Sequence, residues 1–482
     1  MEEATFPQPL RTSPLALLHK SMGAVSLLWN NMFVPARYTS DINSEHFAIR
    51  TNAGLTDMTG IHKVFLSGIE AFEFLNHTVT KDLSTVKPGN AVYTVLLNKI
   101  GKVIDDAIVF HLDDQAKTVF KAEWLICLGA GLGLEYIQKQ AQKQNLNIHH
   151  GDNIVCLLLQ GPRANTIILP LLTFLDSDAP QRFQHKLAKI GGYLALVSRT
   201  SYSGEDGFEI FVKKEAAAKI WFLLISKGAI PVGFDALNIA RIEAGLLFFG
   251  QDMTGNETPT ELGLNFVVDF DDHSFRGKTA CLEDWEKPKI KAVGITFGSE
   301  VFELEEKELV INGQVRGLIQ SYARSEWLKK SIGIAHIDTK YATDGQQFLV
   351  FQGDDDAKVA LGSIYYDDKY GLKEGVKSFN WLNDAAQNGN TYGQAGVANC
   401  YRYGIGTDID YKKALYWYKH TANSTNNPIS RYRLAEMHML GLGTEINLSK
   451  AREIFLVLSQ EGYADGTTGV KQVDELVENR KP

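Results

Sequence analysis

The tightest constraint on how this chain can fold is a recurrence near its end. Gly404-Ile-Gly-Thr-Asp-Ile-Asp-Tyr-Lys-Lys-Ala-Leu-Tyr-Trp-Tyr returns as Gly441-Leu-Gly-Thr-Glu-Ile-Asn-Leu-Ser-Lys-Ala-Arg-Glu-Ile-Phe, and both 441 − 404 and 451 − 414 equal 37. A half-unit, Lys377-Ser-Phe-Asn-Trp-Leu with Ala385-Ala386, stands 413 − 377 = 36 residues before Lys413. Periods of this length specify helix pairs that cannot bury their apolar face alone and therefore stack on their neighbours. Residues 371–482 are expected to form an α-solenoid. Such a module either offers a surface to a protein partner or caps the domain before it.

The remainder is too long for one core. A chain of 482 residues calls for several domains. Its 44% hydrophobic content is that of an ordinary soluble globular protein. The 57 acidic residues outnumber the 49 basic ones, giving −8 and arguing against a nucleic-acid partner. Cys127, Cys156, Cys281 and Cys400 are far apart and form no CxxC pair, which speaks against a metal site and fits a reducing compartment. Met1 to Ser13 has neither the basic start nor the apolar run of a secretory signal. The most apolar run, Thr166 to Leu175, is about half the length of a membrane span and contains Pro170. These features describe a cytoplasmic protein without a membrane partner.

Gly101 to Phe110 places two adjacent carboxylates, Asp105 and Asp106, inside a β-branched run that reads as a buried strand. Successive side chains on a strand face opposite ways, so the two must point to different sides. An enclosed carboxylate is costly unless it is hydrogen-bonded or paired. One reading puts one Asp on an open face and the other on a neighbouring backbone; the other makes the pair functional. Around it, Gly54 to Ser67 reads as strand, Ile69 to Asn76 as helix, and residues 91–97 and 103–110 as a hairpin turning at Asn98 to Gly101. A strand over Val155 to Leu159 ends in Gln160-Gly161-Pro162. Strands over Leu187 to Ser198 and Gly207 to Val212 flank the loop Tyr202 to Gly207, and helices follow at Lys214 to Lys227 and Phe234 to Gly245. Short strands interrupted by helices give an α+β class. Gly129-Ala-Gly131-Leu-Gly133 imitates a dinucleotide fingerprint, but Leu134 stands where the third glycine belongs, and a tight strand-to-helix turn explains the run better. From Lys289 to Tyr366 only short alternating runs occur, namely Ala292 to Phe297, Glu308 to Ile311, Val315 to Tyr322, Ile332 to His336 and Gln347 to Phe351. They suggest a small β-barrel or sandwich, with Asp354 to Asp356 as a solvated turn.

Four blocks then stand in a telling order: Ile104-Asp105-Asp106-Ala-Ile-Val, Leu159-Gln160-Gly161-Pro162, Arg199 to Ile210 with its Gly204-Glu205-Asp206-Gly207 core, and Arg241-Ile-Glu243-Ala-Gly245. Phe249-Gly250-Gln-Asp252 and Thr258-Pro259-Thr-Glu261-Leu-Gly263 follow. Over roughly residues 13–365 the chain resembles the folate-binding T-protein family, which includes the aminomethyltransferase of glycine cleavage. The Gly-x-Gly-Thr loops before Lys-Ala and aromatics resemble Sel1-type tetratricopeptide repeats. The resemblance implies a T-protein-type folate-binding fold of antiparallel, ferredoxin-like sheet domains over 1–288. It implies a small C-terminal β-barrel over 289–370 and Sel1-like repeats over 371–482. It also implies tetrahydrofolate as cofactor, Asp106 as the catalytic residue, Tyr202 and Glu209 as folate-binding residues, and no metal. The chemistry suits these roles. One carboxylate can accept both donors of a reduced pterin's amide and amine edge. A tyrosine can stack on the flat ring, and a fixed anion stabilises positive charge on a one-carbon unit as it passes to the folate nitrogen. Gly204 and Gly207 would let backbone approach the ligand. Glu205 and Asp206 read as loop-ordering residues, and Arg241 and Glu243 as a structural ion pair or helix cap.

The chain also departs from the family pattern. Leu237 stands where aminomethyltransferases carry a folate-contacting Arg, so that Ala236-Leu237-Asn238 is nearer the folate domains of dimethylglycine and sarcosine dehydrogenases. Ile61 replaces a Met, Phe266 a Trp, and Gly129 a folate-side Asn. The flavin half of those dehydrogenases and the Lys-Gly-Cys-Tyr motif of the iron–sulfur-assembly branch do not occur. The implied function is a tetrahydrofolate-dependent, aminomethyltransferase-like one-carbon transferase, its donor carried on a lipoyl group or a small methylated compound. Two alternatives stand beside it: a folate-dependent demethylase, and a catalytically degenerate folate-binding scaffold whose repeats bind a partner.

Overall fold

The computed structural model describes residues 11–175, 178–271, 273–298, 304, 307–311, 314–348, 359, 363, 375–425 and 427–478. The chain divides into two compact units, Met1–Phe302 with Leu318–Gln346, and Glu303–Gly317 with Gln347–Pro482.

The first unit is built on two sheets. One has the order β5-β6-β7-β4-β8, formed by β4 (His62–Ser67), β5 (Asn90–Leu97), β6 (Val103–His111), β7 (Trp124–Leu128) and β8 (Asn147–His150). The other has the order β10-β11-β12-β13-β9-β3-β14. Its strands are β3 (Gly54–Asp57), β9 (Ile154–Gln160), β10 (Leu172–Phe174), β11 (His185–Ile190), β12 (Tyr193–Ser198), β13 (Gly207–Lys213) and β14 (Ile230–Pro231). All pairings given for these two sheets are antiparallel except β14 with β3. The sheets face each other across one core layer. Phe65, Phe110, Leu125 and Cys127 come from the first, and Cys156, Leu158, Leu196 and Phe211 from the second. Helix α8 (Phe234–Glu243) and helix α2 (Ile42–Thr51) add Leu237, Ala240 and Ile49 to that layer. Outside the seven-stranded sheet, Leu157, Phe208 and Ile210 meet Trp221 and Leu224 of α7 (Lys214–Ser226). Outside the five-stranded sheet, Val64, Leu66 and Val109 meet Leu75 of α3 (Ala71–Thr78) and Ile137 of α5 (Gly133–Ala141). Strands covered on both faces cannot alternate polar with apolar residues, which is why β7 and β9 read as continuous apolar runs.

The expected hairpin over 91–110 forms, with its turn at Asn98–Gly101. Two expected strands are each divided. Leu187 to Ser198 is broken by Gly191 and Gly192, both at positive φ, into β11 and β12. Gly54 to Ser67 is split into β3 and β4, which join different sheets. Further on, β15 (Ile290–Thr296) runs antiparallel to β18 (Lys330–Asp338), with Ile290 opposite Asp338. Strands also form at β16 (Glu308–Ile311) and β17 (Gln314–Ser325). The turn at Asp354–Asp356, the boundary near 370 and the end of the strand expected over Gln347–Phe351 lie outside the described residues.

The second unit carries the helices α10 (Gly375–Gln387), α11 (Thr391–Tyr403), α12 (Tyr411–Thr425), α13 (Pro428–Leu440), α14 (Leu448–Gln460) and α15 (Ala464–Glu478). Asn390, Asn427 and Asn447 cap α11, α13 and α14 by accepting backbone N–H groups, and Gly404 and Gly441 end α11 and α13 in the left-handed region. The second glycine of each Gly-x-Gly presses on backbone. A Cβ on Gly406 would lie 1.9 Å from the Gly375 carbonyl oxygen, and one on Gly443 2.3 Å from that of Tyr411. The repeat's glycines are thus demanded by helix-to-loop contact. Gly443→Ala combines that clash with a left-handed backbone, and is expected to destabilise the repeats by about 2 kcal/mol or more. Hydrogen exchange should speed up across α12 to α14 and remain unchanged in the strands of the first unit; wild-type protection throughout would refute the contact's importance.

Candidate active site

Asp105 and Asp106 lie opposite Leu96 and Val95 on β5, next to a register shift between Leu96 and Leu97. Alternation sends them apart. Asp106 shares its face with Ile108 and Phe110, towards the layer between the sheets, while Asp105 shares its face with Ala107 and Val109, towards α3 and α5. Asp105 is buried; its Oδ2 accepts the N–H of Gly133, the first residue of α5, at 3.1 Å, and its Oδ1 accepts the Asp106 N–H at 2.9 Å. A carboxylate at a helix start is well placed electrostatically. The glycine-rich run therefore cradles this side chain. A Cβ on Gly131 would lie 2.1 Å from the Ile104 carbonyl oxygen, and one on Gly133 2.7 Å from Asp105 Oδ2.

Asp106 Oδ2 accepts the Tyr93 hydroxyl at 3.0 Å, and a Cβ on Gly129 would lie 2.4 Å from its Oδ1. Burial raises the pKa of both aspartates, and the charge of Asp106 raises that of Asp105 further. The Tyr93 hydroxyl opposes the rise at Asp106, and backbone N–H groups oppose it at Asp105. Two adjacent enclosed carboxyls do not both ionise freely, and their protons come off as a pair. The Tyr202 phenol is also pushed up, first by burial, and it feels the charges of Arg241, Asp106 and Asp252. Tyr93 feels Asp106 and Tyr202. Asp106, Tyr93 and Tyr202 thus form one cluster, with Phe266 at its edge, 68% exposed and stacked 6.4 Å from the Tyr93 ring.

Glu209 sits on β13, opposite Leu158 of β9 and Ser198 of β12, and shares its face with Phe211 towards the same layer. It is buried, and its carboxyl is pushed up to about 7 by burial against an opposing hydrogen bond from Thr200. Its charge helps to raise the thiols of Cys127 and Cys156, one from each facing sheet. Tyr202 therefore lies within electrostatic reach of Asp106, and Glu209 is on the same interior face. Tyr93 was missed in the sequence, although the hairpin register alone places it diagonally beside Asp106 on the neighbouring strand.

The loop carrying Tyr202 is held from all sides. The Tyr202 hydroxyl donates to the Leu247 carbonyl at 2.7 Å. Arg199 grips Asp206 with Nε at 3.1 Å and Nη2 at 2.6 Å, and Arg50 donates to the Ser203 carbonyl at 2.8 Å and to Glu205 at 2.9 Å. Arg241 and Glu243 take separate partners. Arg241 pairs with buried Asp252, which also accepts the Ser321 hydroxyl, while Glu243 accepts from Arg50 Nε at 2.7 Å and meets His46 Nε2 at 3.1 Å. Gly204 and Gly207 both lie against protein atoms. A Cβ on the first would lie 2.7 Å from that of Ala244, and one on the second 2.7 Å from the Leu159 carbonyl oxygen. Protein packing already requires both. Leu237, in the position expected of an Arg, is buried in the layer between the sheets. Among the described residues no group of three or more His, Cys, Asp or Glu side chains could hold a metal ion, and no helix is long and apolar enough to cross a membrane.

Two substitutions probe this electrostatics. Tyr93→Phe removes the hydrogen bond that favours the ionised Asp106, so the Asp106 carboxyl should titrate at higher pH, by roughly half a unit to one unit; carbon-13 NMR of labelled aspartate would read it. Glu209 has a folded pKa above its unfolded value. Its contribution favours the fold at pH 4 and is lost as pH rises through about 7. Glu209→Gln should match wild type at pH 4 and exceed it by about 3 kcal/mol at pH 8 in urea unfolding.

Comparison with known proteins supplies the family. The GCVT N-terminal domain family matches residues 15–272, and the Sel1 repeat family matches 355–390, 391–424 and 428–463. An aminomethyltransferase of Thermoanaerobacter pseudethanolicus is 34% identical over 353 residues, covering 71% of this chain and 93% of that one. A heme-dependent oxidative N-demethylase gamma subunit of Ectopseudomonas mendocina is 31% identical over 380 residues, covering 76% and 98%. The crystal structure of the glycine cleavage system aminomethyltransferase T from Bartonella henselae superposes with a TM-score of 0.65 at 25% identity, covering 72% of this chain and 95% of that one. This chain therefore belongs to the GCVT, or T-protein, family and carries Sel1 repeats at its C-terminal end.

Proposed function

We propose that the chain transfers a one-carbon unit to tetrahydrofolate, as an aminomethyltransferase does, with Asp106 as its catalytic carboxylate and Tyr202 and Glu209 holding the pterin. The observation that carries this reading is the meeting of Asp106, Tyr93 and Tyr202 on the interior face that Glu209 also enters. Gln160 supports the fit. It is buried on β9, on the face of Leu158 and Cys156, and neither of its amide atoms has a partner among the described residues. A buried unpartnered amide costs about 1–3 kcal/mol, and a pterin brings ring donors and acceptors that would relieve it.

When bound, tetrahydrofolate supplies the nitrogen that accepts the one-carbon unit. Glu209 would accept from the pterin's amide and amine edge, and Tyr202 would pack against the ring. Asp106 would lie beside the reacting nitrogen, where its negative charge would stabilise the cationic one-carbon unit. Enclosure would keep water away and strengthen that interaction. The Sel1 repeats offer the surface for a protein that delivers the donor. A second reading is favoured by the match to the demethylase gamma subunit, which covers more of both chains than the match to the Thermoanaerobacter aminomethyltransferase. In it the one-carbon unit derives from a methylated amine oxidised on another chain.

Calorimetry should show tetrahydrofolate binding to the wild-type chain and to Asp106→Asn within about threefold, while that variant loses transfer by a factor of about 10²–10³. Equal turnover would remove Asp106 from its role, and absence of binding to wild type would remove the folate reading. Supplying an aminomethyl-lipoyl protein or a methylated amine with its oxidase separates the two donors.

A further inference from the structure

The hairpin of β1 (Val25–Trp29) and β2 (Met32–Arg37) turns through Asn30 and Asn31, with φ of +47° and +57°. Two consecutive left-handed residues make the two-residue turn that suits a twisted hairpin, and asparagine tolerates that conformation. The turn alone would accept glycine or aspartate equally well at position 30. Asn30 does more. Its Nδ2 donates to the Gly129 carbonyl at 2.8 Å, across 99 residues of sequence, and reaches the Gly60 carbonyl at 3.4 Å.

Both carbonyls belong to residues that packing restricts to glycine. Trp29 Cε3 would lie 2.7 Å from a Cβ on Gly60, and Asp106 Oδ1 2.4 Å from one on Gly129. Gly129 follows the last residue of β7 and donates its N–H to the Asp106 backbone carbonyl at 3.0 Å. A glycine at a strand end can rotate its peptide at little steric cost. The Gly129 N–H is thus held by the neighbouring strand, while its carbonyl, on the next peptide, is held by the Asn30 amide. Arg11 secures the turn in its place: its backbone N–H donates to the Asn31 carbonyl at 2.6 Å, and its guanidinium reaches the Gly60 carbonyl at 3.0 Å and Asp152 at 2.9 Å.

We propose that Asn30 is a positioning residue, which clamps the Gly129 peptide and thereby fixes the Asp106 carboxylate between Gly129 and the Tyr93 hydroxyl. The reading rests on Asp106 being the catalytic carboxylate. The ionisable groups that interact with that carboxylate are Tyr93 on β5, Tyr202 from the loop before β13 and, from the opposite face of its own strand, Asp105.

The test uses the full chain with three substitutions. Asn30→Gly keeps the turn and removes the amide. Asn30→Asp keeps the turn and sets a carboxylate against two carbonyls. Gly129→Ala drives a methyl into the space that Asp106 occupies. In the ligand-free protein, carbon-13 NMR of labelled aspartate should show the Asp106 titration displaced by at least half a unit in all three. Melting temperatures of both Asn30 variants should stay within a few degrees of wild type. In turnover, each Asn30 variant should lower kcat about tenfold, as expected for one lost hydrogen bond near a reacting group, with KM for tetrahydrofolate within about twofold. An unchanged Asp106 titration in Asn30→Gly and Asn30→Asp overturns the proposal, and so does a loss of activity that only follows a fall in melting temperature. Should wild type fail to bind tetrahydrofolate, the transferase reading falls, while the ligand-free titration still decides whether Asn30 positions Asp106.

Discussion

Two neighbouring carboxylates on a strand covered on both faces form the constraint around which the first unit is arranged. Asp105 and Asp106 cannot share a side, so each must be accommodated in a different core. Asp105 is given backbone N–H groups at the start of α5 and space made by Gly131 and Gly133. Asp106 is given a phenol and the bare peptide of Gly129. The difference in chemistry follows. Asp105 has its acceptors filled by fixed backbone and serves the fold, whereas Asp106 meets side chains and faces the layer where the sheets meet.

The opposite wall of that layer is fixed by charge. Arg241 with Asp252, and Glu243 with Arg50 and His46, are buried or nearly so, and each charge finds an opposite one together with further hydrogen bonds. Breaking one partner out of such a set leaves an uncompensated buried charge, which is far more costly than an exposed pair. Their effect reaches the candidate site through Arg50, which holds the Ser203 carbonyl and Glu205, and through the Leu247 carbonyl that receives the Tyr202 hydroxyl. The motif residues around Tyr202 thus divide into one that faces the layer and several that hold it there.

Much of the arrangement was legible in the sequence. The hairpin from 91 to 110 announced itself by alternation about a polar turn, the repeats by their period, and the four blocks by order and spacing. Tyr93 was overlooked although the hairpin register already placed it diagonally beside Asp106, whereas Asn30 was hidden because 99 residues separate it from the carbonyl it holds. The glycines were legible only in part. The run Gly129-Ala-Gly131-Leu-Gly133 read correctly as a tight strand-to-helix turn, but that Gly131 and Gly133 make room for Asp105 was not readable, because a sequence shows where a side chain is absent but not what fills the space.

What the amino-acid order determined by itself is local: which segments are strand or helix, where turns fall, that Asp105 and Asp106 face opposite ways, and that the C-terminal region carries helical repeats. Periodicity and steric preference act over a few residues, so they can be read in one dimension. The tertiary structure alone decided which of the two carboxylates faces the layer between the sheets, that Tyr202 comes within its electrostatic reach, and that a turn near the N-terminus holds the Gly129 carbonyl. Those outcomes depend on burial and hydrogen bonding between segments far apart in the chain, and they exist only once two sheets have closed on a common core.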